Sequence, residues 1–123
     1  MDDFRLGAIE TKFADIVWEN APISSGELVK LCGSKLEWKK STTYTVLKKL
    51  CDRGLFQNEG GIVRVLVTRQ AFNARQSQRF VEETFDGSLP AFIAAFAAGK
   101  KISERDLTDI RRMLDEFDKE DAK

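Results

Sequence analysis

Apolar residues recur at two different periods along this chain, and the change of period marks how it is organised. In LGAIETKFADIVWE, residues 6–19, Leu6, Ile9, Phe13, Ile16 and Val17 fall at helical spacing and predict a first helix. Asn20-Ala21-Pro22 ends it, because a proline disfavours helical backbone at the residue before it. Ile23 is expected in a very short strand. Ser24 or Ser25 then caps a second helix with Leu28, Val29 and Leu31 facing inward, closed by Gly33, and Leu36 and Trp38 lie in the following connection. A third helix is expected over about 41–53, with Ser41 as its N-cap and Gly54 just past its C-terminus. At about 100° per residue, Thr43, Val46, Leu47 and Leu50 share its inner face. Ser41, Thr45, Lys48 and Asp52 point the opposite way, with Thr42, Tyr44 and Lys49 on the flanks.

After Gly54 the helical period is lost. LFQNEGGIVRVLV reads as two strands joined by a turn at Glu59-Gly60-Gly61, with Arg64 projecting from the returning strand close to the turn. Residues 69–86 then form a polar, arginine-rich helix whose apolar side carries Phe72, Phe80, Val81 and Phe85. Gly87 and Pro90 punctuate the chain. Leu89, Phe92, Ile93 and Phe96 mark a compact apolar helix that stops near Gly99. Ser103 caps a last helix with Leu107, Ile110, Leu114 and Phe117 at steps of three and four.

The predicted fold class is mostly α with a small β-hairpin. Three helices followed by a two-stranded ribbon is the winged helix-turn-helix order, which is expected over residues 1–68. Residues 69–123 are expected to form a helical dimerisation region. A major groove admits one α-helix, and in this arrangement the third helix enters it by its N-terminal end. The crowding of Lys39, Lys40, Ser41 and Thr42 at the start of that helix then has a reason. The two lysines neutralise phosphates, a term that carries no sequence information and weakens with salt. Ser41 and Thr42 can bond phosphates or base edges. Thr45 and Lys48 are aimed at bases, Tyr44 at the groove wall, with Lys49 on the flank, and Arg64 at an adjacent minor groove or phosphate.

Charge strengthens this picture. The chain is neutral overall, yet residues 1–34 carry three basic and six acidic side chains, residues 35–79 ten and three, and residues 80–123 seven and eleven. The middle third is therefore strongly positive, which suits a polyanion. It also argues against the alternative of a winged-helix protein–protein interaction module, whose docking face would show more aromatic residues and less uniform charge.

Other classes lose support. The chain has no histidine, so no Ser-His-Asp or Cys-His pair can be built, and no glycine-rich phosphate loop is visible; an enzyme is not expected. Cys32 and Cys51 are isolated, so no zinc site, no other metal site and no cofactor are expected, and both read as small buried hydrophobes. No apolar run is long enough for a membrane span and the N-terminus lacks the features of a signal peptide, so a cytoplasmic location is expected. The last helix cannot bury its apolar stripe alone. Leu89, Phe92, Ile93, Phe96, Leu107, Ile110, Leu114 and Phe117 are expected to pair with a second copy, although an intramolecular helical lid is the other solution. A two-fold dimer would set two recognition helices on one face of a pseudo-palindromic operator of double-stranded DNA.

The same residues resemble the penicillinase repressor family. Its first helix carries a Glu and ends in an aliphatic-Trp pair, places held here by Glu10 and Val17-Trp18. Its next helix follows a Pro-x-Ser/Thr turn, here Pro22 to Ser24. Its recognition helix reads Thr-x-x-Thr-x-Leu-x-Arg-Leu-x-x-Lys-Gly. Thr42, Thr45, Leu47, Leu50 and Gly54 match it, with Lys49 for the Arg and Arg53 for the Lys. The resemblance implies a homodimeric repressor that binds an inverted-repeat operator and is released by a signal. In one branch the signal is a sensor protease that cuts an Asn-Phe bond in the tail, where this chain has Ala95-Phe96. In another branch the tail bears a copper-binding cysteine cluster, which this tail lacks. The family's returning wing strand carries aromatic residues, whereas IVRVLV has none.

Overall fold

A computed structural model describes residues 5–121. Helix α1, Ala8–Asn20, opens at Gly7, whose N–H donates to Glu10 Oε1 at 3.0 Å; with no side chain at the cap, only this half of a capping box exists. Phe13, Ala14, Ile16 and Val17 form its buried stripe. Strand β1, Ile23–Ser24, is two residues long. Helix α2, Ser25–Leu36, is capped by Ser24, whose Oγ accepts from the Glu27 N–H at 3.1 Å. Gly33 does not close it. The helix runs on to Leu36, which packs against the core, and the chain leaves through Glu37 in the left-handed region at φ 58°. Trp38 then stacks on Phe13, with ring centroids 5.7 Å apart.

Helix α3, Lys40–Asp52, begins earlier than the position of Ser41 suggests. The Thr43 N–H donates to Lys39 O at 3.1 Å, so Lys39 is the cap residue and Ser41 lies within the first turn. Thr43, 1 % exposed, faces the core with Leu47 and Leu50, and that face fixes the helix's rotation. No side chain caps α3.

Strands β2, Phe56–Glu59, and β3, Ile62–Val65, form a hairpin through Gly60 and Gly61, both at positive φ, as a two-residue hairpin turn requires. The sheet is antiparallel with order β1-β3-β2; Gln57 lies opposite Arg64 and Ile23 opposite Val63. Phe13, Val17, Leu28, Leu47, Leu50, Leu55, Phe56 and Val63 fill one core. Fully burying side chains of this size stabilises by roughly 1.5–3 kcal/mol each.

The chain divides into two compact units, Met1–Arg79 and Phe80–Lys123, and helix α4, Arg69–Phe85, contributes to both. Thr68 starts α4 by accepting from the Ala71 N–H at 3.1 Å, and Phe72 is buried against Trp18, centroids 5.3 Å apart. In the second unit, helix α5, Leu89–Gly99, is capped by Ser88, and helix α6, Glu104–Asp121, by Ser103. Phe80, Phe85 and Phe92 meet edge to face at 5.7–5.9 Å, yet no residue of α5 is buried. The structure is a mostly helical winged helix with a small antiparallel sheet, followed by further helices.

Candidate nucleic-acid interface

The inner face of α3 is anchored by Thr43, Leu47 and Leu50, and this turns Ser41, Thr45 and Lys48 outward. Lys39, Lys40, Ser41, Thr42, Tyr44, Thr45 and Lys48 are all exposed. The absence of a capping side chain leaves the first N–H groups of α3 open, and a helix start of this kind favours an anion.

Three contacts give this face its shape. The Tyr44 hydroxyl donates to Ser25 Oγ at 3.2 Å, tying the flank of α3 to the start of α2. The Lys40 ammonium lies 6.0 Å from the Tyr44 ring centroid, at the edge of cation–π range. Lys48 pairs with Asp52 at 3.0 Å, one turn on; both are well exposed, so the pair holds the ammonium only weakly. Tyr44, Leu47, Lys48, Cys51 and Asn58 line a shallow cleft, which brings β2 of the wing beside the outer flank of α3. Arg64 is exposed on β3 and borders a second cleft with Ala21, Pro22 and Val65.

Lys49 is not brought to this face. Its ammonium sits 2.7 Å from Glu10 Oε2 on α1. The hydrogen bond from Lys49 and that from the Gly7 N–H hold the Glu10 carboxyl below its ordinary value, against the opposing effect of burial. The pair locks α3 to α1, so the matching Glu and basic position seen in the sequence have a shared structural reason. Cys32 is buried and Cys51 half-buried rather than enclosed; burial pushes both thiols up and keeps them protonated at neutral pH.

Several contributing residues escaped the sequence. Ser25 and Asn58 join the interface through partners distant in sequence. Arg69 makes a clamp: its Nη2 donates to Asp15 O at 3.3 Å, Asp15 Oδ1 at 3.2 Å and Glu19 Oε1 at 3.3 Å, while its guanidinium lies over the Trp18 ring. Trp18 Nε1 donates to Val67 O at 2.9 Å. The alternation of Asp15 and Glu19 on one side of α1 was the available signal, but nothing in the sequence supplied its partner.

In the second unit, Phe92, Ile93, Phe96 and Ile110, joined by Ile102 and Met113, line an apolar groove of about 390 Å³ with Asp106 and Asp109 at its rim. Leu107 is half-buried, while Leu89, Leu114 and Phe117 are exposed. Met113 was not anticipated. Among the described residues no three His, Cys, Asp or Glu side chains converge as a metal site would need, and no helix is long and apolar enough to cross a membrane.

This geometry can be set against known proteins. The family model described as penicillinase repressor matches residues 6–116. A penicillinase repressor from Bacillus licheniformis is 21% identical over 116 residues, covering 91% of each chain. The match runs through α1, the α2–α3 pair, the wing and most of the tail, and on that extent the chain belongs to the penicillinase repressor family.

Proposed function

We propose that this protein is a homodimeric transcriptional repressor that binds a pseudo-palindromic operator through α3 in the major groove and is released by a signal. The observation that carries this reading is the outward N-terminal face of α3: Lys39, Lys40, Ser41, Thr42, Thr45 and Lys48 stand clear of the protein's own core while Thr43, Leu47 and Leu50 hold the helix rigidly from behind. Family membership and the basic middle third support it. Lys39 and Lys40 meet phosphates, Thr42 and Ser41 meet phosphates or base edges at the open helix start, Thr45 and Lys48 meet bases, and Tyr44 meets the groove wall. Arg64 extends the contact from the wing. Lys49 positions α3 through Glu10.

Residues 1–68, buttressed by the first turns of α4, do the binding, and the helices of residues 69–123 bring two copies together through the apolar groove and the α6 stripe. The Ala95-Phe96 bond lies inside α5, so a sensor protease would have to unwind that helix before cutting it.

The test is selection of duplexes from a random-sequence library, followed by binding isotherms across salt. Enrichment of an inverted repeat is expected, bound with an affinity that falls steeply as salt rises. Failure to enrich any duplex would refute the reading.

A further inference from the structure

Resting on the reading of α3 as the recognition helix, we infer that Thr45 reads the 5-methyl group of a thymine with its own methyl group, not a base edge with its hydroxyl. Thr45 is exposed in the middle of the outward face of α3, one turn after Ser41. Its Oγ1 donates to Ser41 O at 2.9 Å. A threonine hydroxyl has a single proton, and here the helix already uses it. The side chain therefore has no donor left for guanine N7 or O6, adenine N7, or thymine O4; its oxygen keeps acceptor capacity for adenine N6 or cytosine N4, a contact that Thr45→Val below separates from the methyl one. With Oγ1 laid against the backbone carbonyl, Cγ2 is the other branch at Cβ and the one free to meet a base. In the major groove only thymine presents a methyl group.

The neighbours are dressed differently. No such bond ties down the Thr42 hydroxyl among the described residues, so it keeps both donor and acceptor capacity at the helix start. Lys48, one turn beyond on the same face, offers only donors. The face thus carries a hydroxyl, a methyl and an ammonium in succession. A half-site read by it places a thymine at the level of Thr45, next to a base whose acceptors, such as guanine O6 and N7, take Lys48.

The experiment uses the full-length protein and the best duplex selected from the random library. Each thymine of one half-site is replaced in turn by deoxyuridine, which removes only the methyl group. Binding of the wild type, Thr45→Val and Thr45→Ser is then compared; position 45 is exposed, so both variants keep the fold. Removing one buried methyl group should weaken binding about four-fold. The inference expects one thymine per half-site to show this loss with the wild type. Thr45→Val keeps the methyl group, so it should keep the sensitivity to deoxyuridine and bind the unmodified duplex more tightly than Thr45→Ser does. Thr45→Ser removes the methyl contact from both copies, so it should lose about sixteen-fold on the unmodified duplex and become indifferent to the substitution. If Thr45→Val loses affinity while Thr45→Ser retains it, the hydroxyl is the reader and the inference is overturned. It is overturned too if no deoxyuridine matters, although the duplex still binds. If no duplex is enriched at all, the recognition-helix reading itself has failed.

Discussion

Helices α3 and α6 both carry an apolar stripe at helical spacing, yet the two stripes meet different fates. In α3, Leu47 and Leu50 are buried against α1, α2 and the wing. In α6, Ile110, Leu114 and Phe117 remain 38%, 55% and 52% exposed. Both sequences specify an amphipathic helix, but only the first unit supplies enough neighbours to cover one. The difference separates two tasks. In the first unit the apolar face is used up in fixing α3, so the polar face is what α3 presents. In the second unit the apolar face itself is exposed, and it is the surface the proposed dimer would use.

Substitutions in the two units should therefore behave oppositely. The largest effect is expected at the first core. Phe56→Ala removes a buried ring beside Trp18 and should cost about 3–5 kcal/mol in urea unfolding. An unchanged midpoint would show that the ring does not hold the first core together. Phe96→Ala in α5 should leave the unfolding of the first unit unaltered but weaken self-association. Phe96 is already half covered in one chain, so burying the rest gains about 1 kcal/mol per copy, roughly thirty-fold in the dimer dissociation constant. Analytical ultracentrifugation checks this; equal dissociation constants would remove α5 from the dimer face.

A smaller effect is expected on the polar face of α3. Lys48→Ala should cost on the order of 1–3 kcal/mol on the selected duplex and little on a scrambled one. Lys40→Ala should weaken both alike and flatten the salt dependence by about one unit of slope per copy. Equal, sequence-blind losses for the two variants would show that Lys48 reads no base.

The smallest effect concerns the Glu10–Lys49 pair. Because the folded-state carboxyl is lowered, the unfolded chain binds the extra proton first as pH falls. The pair's stabilisation is present above the ordinary carboxylate range and disappears as pH drops through the depressed folded value. Lys49→Met should cost about 1 kcal/mol at neutral pH, since Lys49 is itself well exposed, and should make unfolding less sensitive to acid below that range. Identical acid profiles for the variant and the wild type would show that the pair contributes nothing.

Much of the winged helix was legible because its signals are local. The period of α1 and α3, Gly54 after α3 and the Gly60-Gly61 turn all act within a few residues. The start of α3 was misplaced because Ser41 has good capping chemistry, whereas Lys39 has the extended cap backbone and its carbonyl receives the Thr43 N–H. Gly33 misled because the helix continues through it to Leu36, which packs against the core. Lys49 counted as part of a basic cluster, but its ammonium reaches back to Glu10, a partner set by the packing of α1 on α3. Arg69 was invisible as a clamp because Asp15, Glu19 and Trp18 lie about fifty residues away in sequence. The tail's stripes could be read from their spacing, and in the proposed dimer a second copy covers them.

If the outward start of α3 meets duplex DNA, amide chemical shifts report on it residue by residue. On adding the selected duplex, the largest perturbations are expected at Ser41, Thr42, Thr45 and Lys48, with Arg64 following and the buried Leu47 and Leu50 changing least. Perturbations confined to α5 and α6, with the face of α3 unmoved by any duplex, would contradict it.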